Sequence, residues 1–548
     1  AHRVRSKGIR IAAALTALTL TACSKPSEPV ITEVTDTSVD LNASDRPPPP
    51  PITPELHFRD ITAWAGLDIV GNATATGASF LDYDSDGDLD VLLPADSGIA
   101  LMRNRGDGSF ERLNTTVFEV PLVYTYALDL DYDAKSDVLV IDELGAIAYK
   151  FQDETLVARR DILFIEDMTL LPAVATIGDF AGIGRHDIIL GRSFVKIEGQ
   201  GEPDPNGPLP DEEPAHDVHL RWDGSSYKDV TTDTGASSTQ VNTLSAMTCD
   251  LNSDGRLDLI IGTQHDEPDR YLAMNSKGQF EDIGDELGIT SDTLKARVGT
   301  SAMGFDAADI DGDLDLDLFV TDDSPAYGSR LYRQDADGTF TYITDQAGLG
   351  DTRNLVSWGN ALADFNHDGS IDLFIANGRR FLPENVSSPD QENALYLGNG
   401  DGTFQRATSQ AGSGLEVVRQ SFGAIFGDID GDGDLDVLIS NASERPTLLR
   451  NDMGGQGHWL QISLNHPTLT PAVGSVVTIS TTDGKQRRWL HGTPSFGGSS
   501  QSEIHFGLGL ATSVETIEVQ WPDSTVSTHG PYNADQTVTI KYGDGGSR

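Results

Sequence analysis

The sequence holds only two cysteines, Cys23 and Cys249, in 548 residues. They allow one disulfide at most, so disulfides do not hold this fold. Basic residues are scarce as well: 38 Lys and Arg stand against 85 Asp and Glu, a formal charge of −47. That imbalance argues against nucleic acid or an anionic membrane surface as a direct partner, since both need a basic face. It favours bound cations, basic partners or a solvated exported surface. The motifs G-x-S-x-G, a Walker phosphate loop, H-E-x-x-H and C-x-x-C do not occur, which removes the usual local signatures of hydrolases, nucleotide enzymes, zincins and redox proteins. A catalytic site assembled from dispersed loops would leave no such signature. What is plentiful is glycine, 56 residues, pointing to many turns, and enough apolar residues, 38%, to bury a core. The length suits three to four domains at roughly 150 residues each.

Arg3, Arg5, Lys7 and Arg10 precede a twelve-residue, mostly apolar run, Ile11 to Ala22. It is too short for a stable membrane span and reads as the core of a signal peptide over residues 1–22. It ends in Leu20-Thr21-Ala22-Cys23, which resembles a bacterial lipobox. The resemblance implies cleavage before Cys23, acylation of its thiol, and export to the bacterial outer membrane or cell surface. Membrane contact would then run through that anchor only, and Cys249 would stay unpaired. Residues 23–55 include the run Pro47 to Pro51 and read as a Pro-rich tether that buries no core.

An internal repeat organises the middle of the chain. The pattern D-x-[DN]-x-D-G-x-x-D, followed by a β-type apolar run, begins at Asp82, Asp129, Asp179, Asp250, Asp309, Asp364 and Asp428, roughly 58 residues apart. That period suits a four-stranded propeller blade. Small and apolar residues precede the loop, as in Trp358-Gly359-Asn360-Ala361. A short strand follows it, as in Leu373-Phe374-Ile375. Next come a second strand and an Asp-Gly turn before an aromatic, as in Asp337-Gly338-Thr339-Phe340, a hairpin signal. The last repeat lacks that outer strand, whereas His57 to Thr62 matches the repeat ends elsewhere, such as Phe340 to Thr344. Residues 57–62 are therefore expected to close the ring against the repeat holding Asp428.

The loop chemistry points to a hard divalent cation, calcium above all, which takes six to eight oxygen ligands. Like charges about 4 Å apart repel by roughly 4 kcal/mol at an effective dielectric near 20, and an ion removes that cost. Position 12 rules out an EF-hand: it is Leu93, Val140, Leu190, Ile261, Val320, Ile375 and Ile439 in the seven copies, never the required Glu. Four loops keep the central glycine and all ligands: Asp82, Asp84, Asp86 and Asp90; Asp250, Asn252, Asp254 and Asp258; Asp364, Asn366, Asp368 and Asp372; Asp428, Asp430, Asp432 and Asp436. Two further loops raise the count of expected calcium sites to six. Asp309, Asp311, Asp313 and Asp317 surround Leu314, which stands where glycine is expected, and Asp129, Asp131, Asp133 and Asp137 surround Ala134 and Lys135. The loop at Asp179 has Ala181 and Ile183 at ligand positions and is expected to carry no ion.

These residues resemble the FG-GAP and VCBS repeats of bacterial secreted proteins and integrin α-subunits. The resemblance implies a seven-bladed β-propeller over residues 56–451 with calcium in its loops. Beyond it, His458-Trp459-Leu460, Ser500-Gln501-Ser502, His505-Phe506-Gly507-Leu508-Gly509 and Val519-Gln520-Trp521-Pro522 resemble the ASPIC and UnbV domain of the cartilage acidic protein family and its bacterial relatives. Leu464 to Gly474 departs from that pattern, lacking its Asn-Arg element. Residues 452–545 read independently as a small all-β sandwich from alternating strands and turns such as Asp483-Gly484.

The sequence thus predicts an all-β, calcium-stabilised propeller with a C-terminal sandwich, exported and lipid-anchored. The expected role is a binding or adhesion module for an extracellular protein or glycan, without nucleic acid. A hydrolase or lyase acting on extracellular polymer, and a purely structural envelope protein, are the alternatives. No residue stands out as catalytic. The acidic, proline-rich stretch Lys196 to Asp217 reads as a solvated excursion.

Overall fold

The computed structural model describes residues 56–545, apart from 69–76, 96–97, 118–121, 134, 143–144, 153, 167–170, 194–215, 237–242, 264–267, 290–300, 325–326, 380–389, 443 and 454–456. The signal peptide, Cys23, the tether, Ala134 and most of the excursion at 196–217 therefore lie outside the described residues.

Seven antiparallel sheets occupy residues 58–451 among the described residues, six of four strands and one of five. Several begin with a strand rich in small residues, such as Ser357–Ala363 or Ser421–Gly427. The first strands touch one another in sequence order, and Ser421–Gly427 comes back to Ser79–Leu81, so the sheets form a propeller-like ring. Close packing at the axis explains the residue choice. A Cβ on Gly359 would stand 2.7 Å from the backbone nitrogen of Ala424, and one on Gly304 2.7 Å from the carbonyl of Trp358. The second strands, including Asp258–Thr263, Asp317–Asp322 and Asp436–Asn441, are buried at every position; they are the apolar runs, covered on both faces by neighbouring sheets. Most outermost strands are short, and in Phe280–Asp282 only the aromatic is buried. The Asp-Gly turns fall as expected: Asp337 Oδ1 accepts from the backbone N–H of Thr339 at 3.1 Å, between strands Arg330–Gln334 and Phe340–Tyr342.

The ring closes by the expected route. Strand Phe58–Asp60 pairs antiparallel with Thr447–Asn451, with Phe58 opposite Asn451 and Asp60 opposite Leu449. Phe58 and Ile61 are buried there.

Beyond the ring, His458–Asn465 lies between Ile504–Gly509 and Gln536–Lys541, the last pairing parallel. A second sheet runs Gly484–Trp489, Val476–Thr481, Thr516–Gln520, Val526–His529. Leu460, Ile462, Val477, Ile479, Phe506, Val519 and Trp521 form their shared core. Alternation is plain in Thr516–Gln520, where only Ile517 and Val519 are buried.

Residues 490–503, between these sheets, run along the innermost strands of the ring. Gly492 bridges Thr248, Ser495 bridges Phe305 and Ser499 bridges Ser79. Ser495 Oγ donates to the carbonyl of Ala424 at 3.0 Å and accepts from the N–H of Asn360 at 3.0 Å. Thr493 Oγ1 donates to the carbonyl of Ala175, and Ser499 Oγ accepts from the N–H of Ala127. Phe496 packs edge-on against Tyr124 and Trp358 from different sheets, at 5.9 and 5.3 Å between ring centres. This segment thereby touches the first strand of all seven sheets. Among the described residues no helix is long and apolar enough to cross a membrane.

Candidate metal-binding loops

The seven loops each join the first strand of a sheet to the second, and the ninth residue opens the second strand every time, as in Asp90–Ala95, Asp317–Asp322 and Asp372–Asn377. Backbone hydrogen bonds fix the acidic side chains. The first carboxylate accepts from the N–H groups of positions 5 and 6: Asp82 from Asp86 and Gly87, both at 3.1 Å, and Asp250 from Asp254 and Gly255 at 3.0 and 2.8 Å. Asp364 and Asp428 do the same. The ninth carboxylate accepts from the N–H of position 2, at 2.9–3.1 Å in six loops. In four it also accepts from the third strand, from Asn104, Gln334, Gly398 and Asn451.

The sixth residue needs a left-handed backbone, supplied by Gly87, Gly255, Gly369 and Gly433 with φ of 81–95°. Leu314 adopts the same region with φ 73°, a cost of roughly 1–2 kcal/mol for a residue with a side chain. Its N–H still reaches Asp309 Oδ2 at 3.1 Å. The loop at Asp309 therefore keeps its bend without the glycine. Position 4 is left-handed as well, including Ser85, Tyr132, Ser253 and His367. The sequence hinted at this only through Gly182, Gly312 and Gly431 at the same position in other copies.

Four groups of carboxylates bring one oxygen each within 4.8 Å of one another: Asp82, Asp84 and Asp86; Asp129, Asp131 and Asp137; Asp309, Asp311 and Asp317; Asp428, Asp430 and Asp436. Asp90, Asp133, Asp313 and Asp432 lie beyond these groups. In the two remaining loops, Asn252 Oδ1 and Asn366 Oδ1 accept from the N–H of Asp254 and Asp368 at 3.0 Å, placing a neutral oxygen where the others have an acid. The loop at Asp179 forms its own bonds, to Ile183 and Gly184, but Ala181 and Ile183 bring no oxygen from their side chains.

The electrostatics call for a cation. Burial pushes the carboxyls of Asp90 and Asp137 up to about 7, and those of Asp258 and Asp317 to about 8. Burial first, then the neighbouring Asp432 and Asp428, lifts Asp430 to about 7. Asp258 Oδ1, Asp311 Oδ1 and Asp430 Oδ1 are buried without a hydrogen-bond donor, and a buried acceptor of that kind costs free energy until something positive meets it. All-oxygen donors of this sort fit calcium.

Cations of the chain's own reach several loops: Arg256 lies 2.6 Å from Asp254 and Arg450 3.7 Å from Asp430, and the loop at Asp129 meets two. Lys150 Nζ donates to Asp131 Oδ2 at 2.7 Å and Asp133 Oδ2 at 2.5 Å, and Arg159 lies 3.4 Å from Asp131. Sequence spacing gives no sign of this, because Lys150 arrives from the next strand but one.

The C-terminal segment lies against this same set of loops. Trp459 covers Gly433, and Gln461 Nε2 donates to Asp428 Oδ2 at 3.1 Å. The N–H of Asp129 donates to the carbonyl of Thr470, and Arg487 donates to the carbonyl of Leu314 at 2.6 Å. A Cβ on Gly507 would fall 2.0 Å from Asp364 Oδ2.

Residues 82–140, 250–320, 309–375 and 382–439 match the FG-GAP-like repeat, and three of those spans open on the first aspartate of a loop. Residues 466–547 match ASPIC and UnbV. The chain is an FG-GAP-repeat protein with an ASPIC and UnbV domain. It is homologous to cartilage acidic protein 1, with 25% identity to the Homo sapiens protein over 35% of this chain, and 27% to the Xenopus tropicalis protein over 36%. The matches span only 37% and 38% of those relatives. The solved structure of an Agrocybe aegerita lectin recognising non-reducing terminal N-acetylglucosamine aligns with 67% of this FG-GAP-repeat chain and 86% of its own, at 15% identity and a TM-score of 0.39.

Proposed function

We propose that the chain is a calcium-loaded, seven-bladed propeller over residues 56–451, capped by a sandwich over 452–545, that binds an extracellular protein or glycan. Residues 1–22 direct export, and Cys23, at the head of the 23–55 tether, carries the lipid that holds it at the cell surface. The observation that carries the calcium reading is the loop set: carboxylates gathered by backbone hydrogen bonds, several of them with one buried oxygen that lacks a donor, on repeats that match the FG-GAP-like family. The ions neutralise the loops and fix the rims between sheets, so the chain's outer surfaces hold a constant shape for a partner.

Thermal unfolding with calcium and with chelator tests the metal. Binding to the folded state adds about 2.7 kcal/mol per site at a hundredfold excess over Kd. Asp430→Ala removes one of the gathered oxygens and is expected to reduce the calcium response. Asp179→Ala breaks bonds in a loop without ligands, so its effect should be the same with and without calcium. Equal loss of calcium response in both variants, or no response in the wild type, refutes the assignment. Glycan and protein arrays probed with the mature chain test the binding role; no hit in either condition rejects it.

A further inference from the structure

We propose that the ions do more than stabilise the ring: they hold the ASPIC and UnbV domain on it, and the domain in turn tightens the ions. This rests on the calcium reading above. The domain docks on the loops themselves. Asp428 Oδ2 accepts at once from Gly433 of its own loop, at 2.9 Å, and from Gln461 of the domain, at 3.1 Å. Asp364 Oδ2 accepts from Gly369 at 2.8 Å and fills the space that only a glycine at 507 leaves open. The Trp459 ring lies on Gly433, the left-handed residue whose conformation the loop bend requires. These contacts exist only while the loops are closed. Without a cation, three carboxylates repel at each site and the loops relax outward, into the space that Gly507 and Trp459 occupy. The docked domain also seats residues 490–503 along the axis, so releasing it withdraws that segment from the first strands. The coupling must run both ways, because two equilibria that share one conformational change alter each other by the same factor.

Hydrogen–deuterium exchange on the full chain, with calcium and with chelator, separates the possibilities. Peptides over 364–372 and 428–436 report the loops. Peptides over 458–465 and 490–509 report docking. We expect both groups to lose protection together on chelation, the second by tenfold or more. Loss in the loops alone overturns the inference and leaves the calcium reading intact; no change in either overturns both. The reverse direction is tested with Ser495→Ala, which touches no loop carboxylate but removes the Oγ contacts to Asn360 and Ala424. Calcium titration should show at least twofold weaker binding at the tightest sites. Gly507→Val, which drives the domain off Asp364, should weaken binding by tenfold or more. Unchanged calcium affinity in folded Ser495→Ala overturns the coupling.

Discussion

At the scale of single residues, charge does the arranging. The loop at Asp129 shows what happens when the chain provides its own cation. Lys150 Nζ lies 2.7 Å from Asp131 and 2.5 Å from Asp133, so a divalent ion would compete with a tethered ammonium for the same oxygens. We expect wild type to leave this loop without calcium, and Lys150→Met to open it. The variant should lose about 1–2 kcal/mol in chelator, the worth of a partly buried charged hydrogen-bond pair. It should regain that loss in calcium and bind one more ion per chain by equilibrium dialysis. An unchanged stoichiometry would sink the idea. Burial holds His186, His491 and His505 uncharged near neutral pH. His491 Nε2 donates to the carbonyl of Ala307 at 2.8 Å, and burial lowers its pKa to about 4. A base with its folded pKa depressed below 6.5 contributes stability above that pH and loses it as the pH falls toward 4. His491→Gln should therefore flatten the pH dependence of unfolding between 6.5 and 4 by up to one proton, as read from denaturant melts across that range.

At the scale of elements, the sequence was informative where the chemistry is local. Aspartates at fixed spacing, a glycine at the bend and an Asp-Gly turn before an aromatic all act within one loop, so seven loops and their flanking strands could be read directly. Ring closure was legible too, because His57 to Thr62 repeats the ending of other blades. Deleting residues 57–62 should strip the partner from Thr447–Asn451 and expose the sites that Phe58 and Ile61 fill. Two buried side chains of this size stabilise by about 3–6 kcal/mol, and an unpaired edge invites association. Urea unfolding should show a loss of that order, with light scattering reporting oligomers; a monomer of wild-type stability would contradict the closure. Leu314 shows the opposite case. Its type argues against the bend, and the bend is held by Asp309, which accepts its N–H, and by Arg487, which donates to its carbonyl.

At the scale of the whole molecule, the relation between the ring and the C-terminal segment was hidden in the sequence. Its contacts are made by Gly507, Ser495, Thr493 and Gln461, residue types that speak of turns and surfaces rather than insertion, and their partners lie more than thirty positions away. Lys150 escaped notice because it reaches Asp131 and Asp133 from another strand, 19 and 17 positions along the chain. The closing pair carries a mechanical consequence. Because Phe58 lies opposite Asn451, the polypeptide joins the ring and leaves it at a single corner. A leash pulling ahead of Phe58 while the C-terminal part is held loads both strands from the same end, and the pair peels open one residue at a time instead of sharing the force along its length. Optical-trap pulling between attachment points at residues 57 and 452 should give a first rupture well below the force that unfolds the remaining sheets. Attachment at 60 and 452 should raise that first force by loading the pair in shear. Anchored as proposed, the molecule would have a weak seam at its mooring, and the ring would open there first.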